Sequence, residues 1–400
     1  MRKLSFENPE MLDILTHQVI HMDQGISYAP EYIATREMKH YPSRTAQIIR
    51  AVHKGELPAS QYGADMVFAP ILSGQGERWQ NFGEDPNGYI LTVMLGRELF
   101  YQKGFYKEEI AALKEAAAAA VIRTRNEEKV DAWAQALPLN ESSHTGLLLD
   151  EETFSCAAGS RERVGTFLKK RGMEIAAFGP YFTGFDLLAG GCIDEGTAVI
   201  KELLDGWKAK GITRMITLTG QSQYIFTVLL RWLGLETDIE FLSILDLAQG
   251  FDTENAYLYG GSFFTRYLRK DAALNALLAN TEEEPLPSAP EFLPEVDGDK
   301  RRNMVGIWTP PLCAEYHTLA QITAGEETTA QNASAGQQDE KPAGIAGQRA
   351  LEEQIYADSL ALIGETAFGR LLVCDPFAWQ ALLHHGYPEK KMVYYLDVIR

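Results

Sequence analysis

The rhythm of apolar and polar positions changes near residue 145. Before it, "SRTAQIIRAVHKG" (43–55) and "YILTVMLGRELFYQKG" (89–104) read as helices. The stretch "FYKEEIAALKEAAAAAVIRTRNEEKVDAWAQAL" (105–137) combines strong helix formers with a charged flank and predicts a helix joining two regions. The first region is therefore expected to be mostly α. Beyond residue 145, short apolar runs alternate with helical segments. "TGLLLDEETFSC" (145–156) is followed by a helix over "RERVGTFLKKRG". "GTAVIKELLDGWKAKG" (196–211) is helical, "ITRMITL" (212–218) a strand, "TGQS" a corner and "QYIFTVLLRWLG" (223–234) a helix. "IEFLSILDLA" (239–248) closes the series with a strand, or a strand and a turn.

The end of the chain repeats that order. "RALEEQIYADSLALIGETAFG" (349–369) predicts a helix, "RLLV" a strand, "CDPFA" a corner, "WQALLHHG" a helix and "KMVYYLDVI" (391–399) a strand, with "MVGIWTPPLC" (304–313) as the upstream companion. Two segments read as linkers: the acidic, proline-rich 280–303 and the low-complexity 324–347. The expected fold class is α/β, a helical region (1–140) followed by two similar lobes over 141–279 and 304–400, with 324–347 an insertion in the second. In such lobes a ligand sits between the carboxyl end of a strand and the next helix, which places Thr219–Ser222 and Asp375–Ala378 at candidate crevices.

Composition narrows the function. With 400 residues, 46% of them hydrophobic, the chain can bury a sizeable core. A net charge of −18 argues against nucleic acid and anionic membrane surfaces, which need clustered Lys and Arg. No apolar run is long enough to span a membrane, and the start "MRKLSFENPEMLD" is charged where a signal peptide would be apolar, so a cytoplasmic location is expected. The four cysteines, Cys156, Cys192, Cys313 and Cys374, form no C-x-x-C and no close pair, so neither a disulfide framework nor a zinc motif is suggested.

These corners carry a resemblance. A helical region followed by two α/β lobes resembles the iron–sulfur oxidoreductases typified by the fused C and B subunits of heterodisulfide reductase, whose lobes, the CCG domains, carry a Cys-Cys-Gly loop and a C-P-x-C corner. "ITLTGQSQYIFTVLLRWLG" matches the corner and helix with Thr219 and Ser222 at the two cysteines. "LLVCDPFAWQALL" matches the second copy with Asp375 and Ala378 there, and Cys374 falls one position early. "FTGFDLLAGG" (182–191) resembles the first Cys-Cys-Gly loop with Phe182 and Thr183 in place of thiolates and Gly184 kept; "PAGIAGQ" (342–348) resembles the second, with Pro342 and Ala343. "ETFSC" and "WTPPLC" resemble strand-end motifs, so Cys156 and Cys313 are near family cysteine positions. In the ferredoxin-like region, "QGERWQNFGEDPNGY" has Gln75, Arg78, Asn81 and Asp85 at about the places of four cysteines, and "HMDQGISYAP" (21–30) has none.

The resemblance implies an N-terminal ferredoxin-like domain, two CCG-type lobes and a redox complex, but the thiolates for its clusters are missing. No iron–sulfur cluster or other cofactor is expected. Three functions follow. The first is a cluster-free scaffold or partner subunit, paired with a cluster-bearing or flavoprotein redox subunit. The second is binding or catalysis of an anion or thiol-like small molecule in the former cluster cleft, lined by Thr183, Gly184, Thr219, Gln221, Ser222 and Asp375. The third is residual thiol or electron-transfer chemistry at Cys156, Cys313 and Cys374, since a thiol near a helix amino terminus has a lowered pKa. Asp85, Asp186 and Asp375 stand at or beside ligand positions for a lone metal ion, although Asp375 before Pro376 is better explained as a helix cap. His17 and His21 can share a helix face but have no evident acidic partner, and no nucleophile–base pair is readable from spacing.

Overall fold

A computed structural model of the chain describes residues 2–21, 29–74, 88–123, 127–150, 153, 159–254, 256–279, 351, 354–355, 357, 360 and 370–400. The amino-terminal part is helical: α1 (Pro9–His21), α2 (Pro30–Thr35), α3 (Pro42–His53), α4 (Gln61–Phe68), α5 (Gly88–Gln102), α6 (Lys107–Arg123) and α7 (Glu127–Ala136). Pro42 opens α3 where its missing N–H costs nothing, and Ser60 caps α4 by accepting the amide N–H of Gly63 at 3.2 Å. Residues 88–97 of α5 are buried on every side, so it forms the axis against which α1, α3 and α4 pack. Its buried Arg97 donates to the carbonyls of Val67, Phe68 and Pro70, which follow or end α4, and at 2.7 Å to Ala189 in the next region. One guanidinium thus satisfies carbonyls that the end of α4 leaves open and ties the helical part to the first lobe.

The first lobe runs β1 (Thr145–Asp150), α8 (Arg161–Lys170), β2 (Ala177–Tyr181), α9 (Phe185–Ala189), α10 (Ile193–Ala209), β3 (Arg214–Thr217), α11 (Gly220–Tyr224), a π turn (Ile225–Leu229), α12 (Leu230–Leu233), β4 (Glu240–Ser243) and α13 (Ile244–Leu247). Its sheet is parallel in the order β2-β1-β3-β4. The chain leaves β1 for β2 on one side and crosses back to β3 on the other. The carboxyl ends of β1 and β3 therefore flank the point where the winding reverses, the position at which open α/β sheets hold ligands. The second sheet contains β5 (Ala256–Tyr259), β6 (Arg370–Val373) and β7 (Met392–Tyr394), again parallel, in the order β5-β6-β7. A π turn (Phe263–Tyr267) and α14 (Asp271–Ala279) follow β5, α15 (Pro376–His384) follows β6, and α16 (Tyr395–Val398) follows β7. Over the described residues the protein is mixed α/β with two small parallel sheets.

Three features differ from the sequence reading. Strand β2 was not evident, because Gly179 and Pro180 lie within it; as an edge strand it tolerates a proline that a central strand would not. The companion of β6 is β5, at 256–259, inside the span assigned to the first lobe, while 304–313 lies outside the described residues. The apolar run over 391–399 is a three-residue strand that turns into a helix at Tyr395, as β4 turns into α13. A continuous buried run does not reveal by its periodicity where strand gives way to helix.

The lobes interlock. The Tyr395 hydroxyl donates to the Leu218 carbonyl, Arg163 Nε donates to the Ile399 carbonyl at 2.9 Å, and the 249–250 backbone exchanges hydrogen bonds with Arg400. At the seam a Cβ on Gly220 would lie 2.8 Å from the Phe264 nitrogen, so the amino end of α11 approaches the π turn closely. Among the described residues no helix is long and apolar enough to cross a membrane.

Candidate functional site: the cleft at the strand ends

The apolar run of β1 ends in Asp150, which the central position of the strand leaves only 4% exposed. Three groups converge on its carboxyl. Thr219 donates its hydroxyl to Oδ2, Ser222 donates to the same oxygen at 2.7 Å, and the Thr153 amide donates to Oδ1 at 2.8 Å. Thr219 also caps α11, its oxygen accepting the Ser222 amide at 3.1 Å. Burial raises the pKa of Asp150, and the hydrogen bonds from Thr219, Ser222 and Thr153 oppose that shift without cancelling it.

The second corner is closed differently. Asp375 caps α15, its Oδ1 accepting the Ala378 amide at 3.0 Å, with Pro376 at the first helical position. Ala378 is fully buried in the apolar core. Gly261, at φ +75°, holds a left-handed backbone against this corner, and a Cβ there would sit 2.7 Å from the Asp375 Cβ. Cys374 lies in the apolar core beside β7, its amide bonded to the Tyr259 carbonyl at 2.9 Å. Burial, reinforced by Asp375, pushes its thiol well above the ordinary range, opposite to the lowering expected from a nearby helix amino end. Burial likewise raises the Cys192 thiol to about 12.

Between the lobes Asp150, Phe182, Thr183, Phe185, Asp186, Gln221 and Phe377 line a cleft of about 10 Å³, the size of one water molecule. Gln221 is 5% exposed, and its Nε2 has no hydrogen-bond partner. Of the residues singled out in the sequence, Thr183, Gln221 and Asp186 meet here, next to Gly184, the cap residue of α9. Thr219 and Ser222 sit behind Asp150, whereas Asp375 and Ala378 belong to the opposite corner and do not line the cleft. Asp85, Cys156, Cys313 and Ala343 lie outside the described residues. The sequence reading missed Asp150 and Phe185. The signal for Asp150 was available: the first carboxylate after a buried apolar run stands at the carboxyl end of the strand, where the crevice lies. On α1, His17 does have an acidic neighbour, Asp13 at 4.0 Å one turn earlier.

The donors at the corners do not suit an iron–sulfur cluster. Hydroxyls at 219 and 222, already engaged with Asp150, and a carboxylate and a methyl at 375 and 378 are not the soft thiolates that such a cluster requires. Among the described residues, no group of three or more His, Cys, Asp or Glu side chains is arranged to hold a metal ion. No family model matches the chain, and no curated protein or solved structure matches it at a significant level.

Proposed function

We propose that the chain is a cluster-free relative of the heterodisulfide reductase-like iron–sulfur proteins and acts as a non-redox partner subunit beside a cluster-bearing or flavoprotein subunit. The observation that carries this reading is the closed first corner, where the two side chains standing at family cysteine positions, Thr219 and Ser222, both donate to the buried Asp150. A corner whose polar groups satisfy one another is a structural element rather than an open coordination site. The buried, weakly acidic Cys374 adds support, because the thiolate and not the thiol is the nucleophile and metal ligand.

Two measurements test the proposal. Protein purified without oxygen is expected to carry no stoichiometric iron or acid-labile sulfide and no broad visible absorption; about four irons per chain with such absorption would overturn it. Purification of the native assembly is expected to yield a stoichiometric second subunit with a flavin or iron–sulfur spectrum. Recovery of the chain alone, or with a colourless partner, would overturn the subunit role.

A further inference from the structure

The end of α16 and the two residues after it reach back to the first lobe. Asp397 accepts the hydroxyl of Ser160, just before α8, and the Ile399 carbonyl accepts Arg163 Nε at 2.9 Å. The Gln249 amide donates to the Arg400 carbonyl at 2.6 Å, the Asp252 amide to the Val398 carbonyl at 2.6 Å, and the Arg400 amide to the Gly250 carbonyl at 3.0 Å. Arg163 also pairs with Asp252. Residues 249–252 belong to the crossover that carries the chain from α13 to β5, and so from the first sheet to the second. Arg171, after the other end of α8, holds the start of that crossover through the Leu247 carbonyl at 2.7 Å. Helix α8 and residues 397–400 together grip the covalent joint between the lobes.

The grip is light on the side of 397–400. Its backbone pairing is one isolated antiparallel bridge, Phe251 with Ile399. Asp252, Asp397 and Arg400 are exposed, so the charged contacts add little, and within the segment Ile399 alone is buried. A short segment with so few buried contacts opens at a fraction of the cost of global unfolding. At the joint, Gly250 has φ +153°, a backbone region that favours glycine, and a hinge is built from a few such residues that absorb a change of direction.

We infer that Asp397–Arg400 is a strap that opens as a unit, freeing the crossover after Leu247 and letting the second lobe turn against the first while both sheets stay folded. The device is separate from the proposed subunit role, since it uses only contacts within the chain.

Native-state hydrogen exchange of the full chain tests the first half without any substitution. The amides of Gln249, Asp252 and Arg400 are expected to exchange at a common rate about a hundredfold faster than those of β1 and β3. Exchange of the three only together with β1 and β3, in global unfolding, would overturn the strap. The second half is read from the distance distribution between spin labels at the exposed Lys208 and Lys390, one on each lobe, introduced as encoded amino acids. Combining Arg163→Ala with Asp397→Ala is expected to speed exchange of the strap amides about tenfold and to broaden that distribution. Faster strap exchange with a distribution as narrow as the parent's would overturn the hinge.

Discussion

The two lobes place a buried carboxyl group at the same corner from opposite sides. In the first, the carboxyl is on the strand end, Asp150, and the helix cap, Thr219, supplies a hydroxyl to it. In the second, the carboxyl is on the helix cap, Asp375, and the loop after the companion strand supplies Gly261, which has no side chain to offer and leaves room for it. The exchange teaches that the corner has space for one acid, with the partner position adapted to whichever side carries it. It also separates the roles: Asp150 lines the cleft, whereas Asp375 holds a helix end and is shut behind Gly261.

Breaking the second corner should have the largest effect. Gly261→Val puts a branched side chain on a left-handed backbone and drives its Cβ into Asp375, and should cost about 2–5 kcal/mol in urea unfolding. Asp150→Ala strands the Thr219 and Ser222 hydroxyls and the Thr153 amide, and should cost about 2–3 kcal/mol by the same measurement. Asp375→Ala removes a cap for about 1 kcal/mol, and Asp375→Asn, an equally good cap, should recover most of it. The smallest change, Gln221→Leu, should leave stability within about 1 kcal/mol or raise it, because it deletes a donor that satisfies nothing.

The comparison sharpens with pH. Burial raises the folded-state pKa of Asp150 above its unfolded value, so folding favours the protonated form. The stability this contributes is fully present below about pH 4 and is lost as pH rises through the raised value. Urea midpoints collected from acid to neutral pH should show this decline in the parent chain and a flatter profile in Asp150→Asn, which has no proton to lose.

Much of the layout is legible in the sequence where local signals agree. The run Met215–Ile216 within β3 followed by Thr219, and Leu371–Val373 followed by Asp375–Pro376, each combine a buried strand with a cap residue, and both corners fall there. The edge strand β2 is hidden by its Gly–Pro pair, whose fit depends on having a neighbour on one side only. The β5–β6 pairing is invisible because nothing in "AYLY" specifies a partner beginning at residue 370. At the site, Thr219, Gln221 and Ser222 are legible from corner position, and Thr183 only from the likeness of its loop to a Cys-Cys-Gly loop. Asp150 is less legible because its partners, Thr219 and Ser222, lie about seventy residues away in sequence and no local spacing links them.

The parallel pairing of Tyr259 with Val373 has a kinetic consequence. More than a hundred residues separate the partners, and closing a loop of that length costs on the order of 4 kcal/mol of chain entropy before any of the second sheet's burial is gained. Refolding should therefore be biphasic, the four-stranded sheet forming ahead of the three-stranded one. Because the closure cost grows only logarithmically, doubling the length between β5 and β6 would add only about 0.6 kcal/mol. The pairing that slows assembly is therefore only weakly sensitive, in chain entropy, to how many residues separate its two strands.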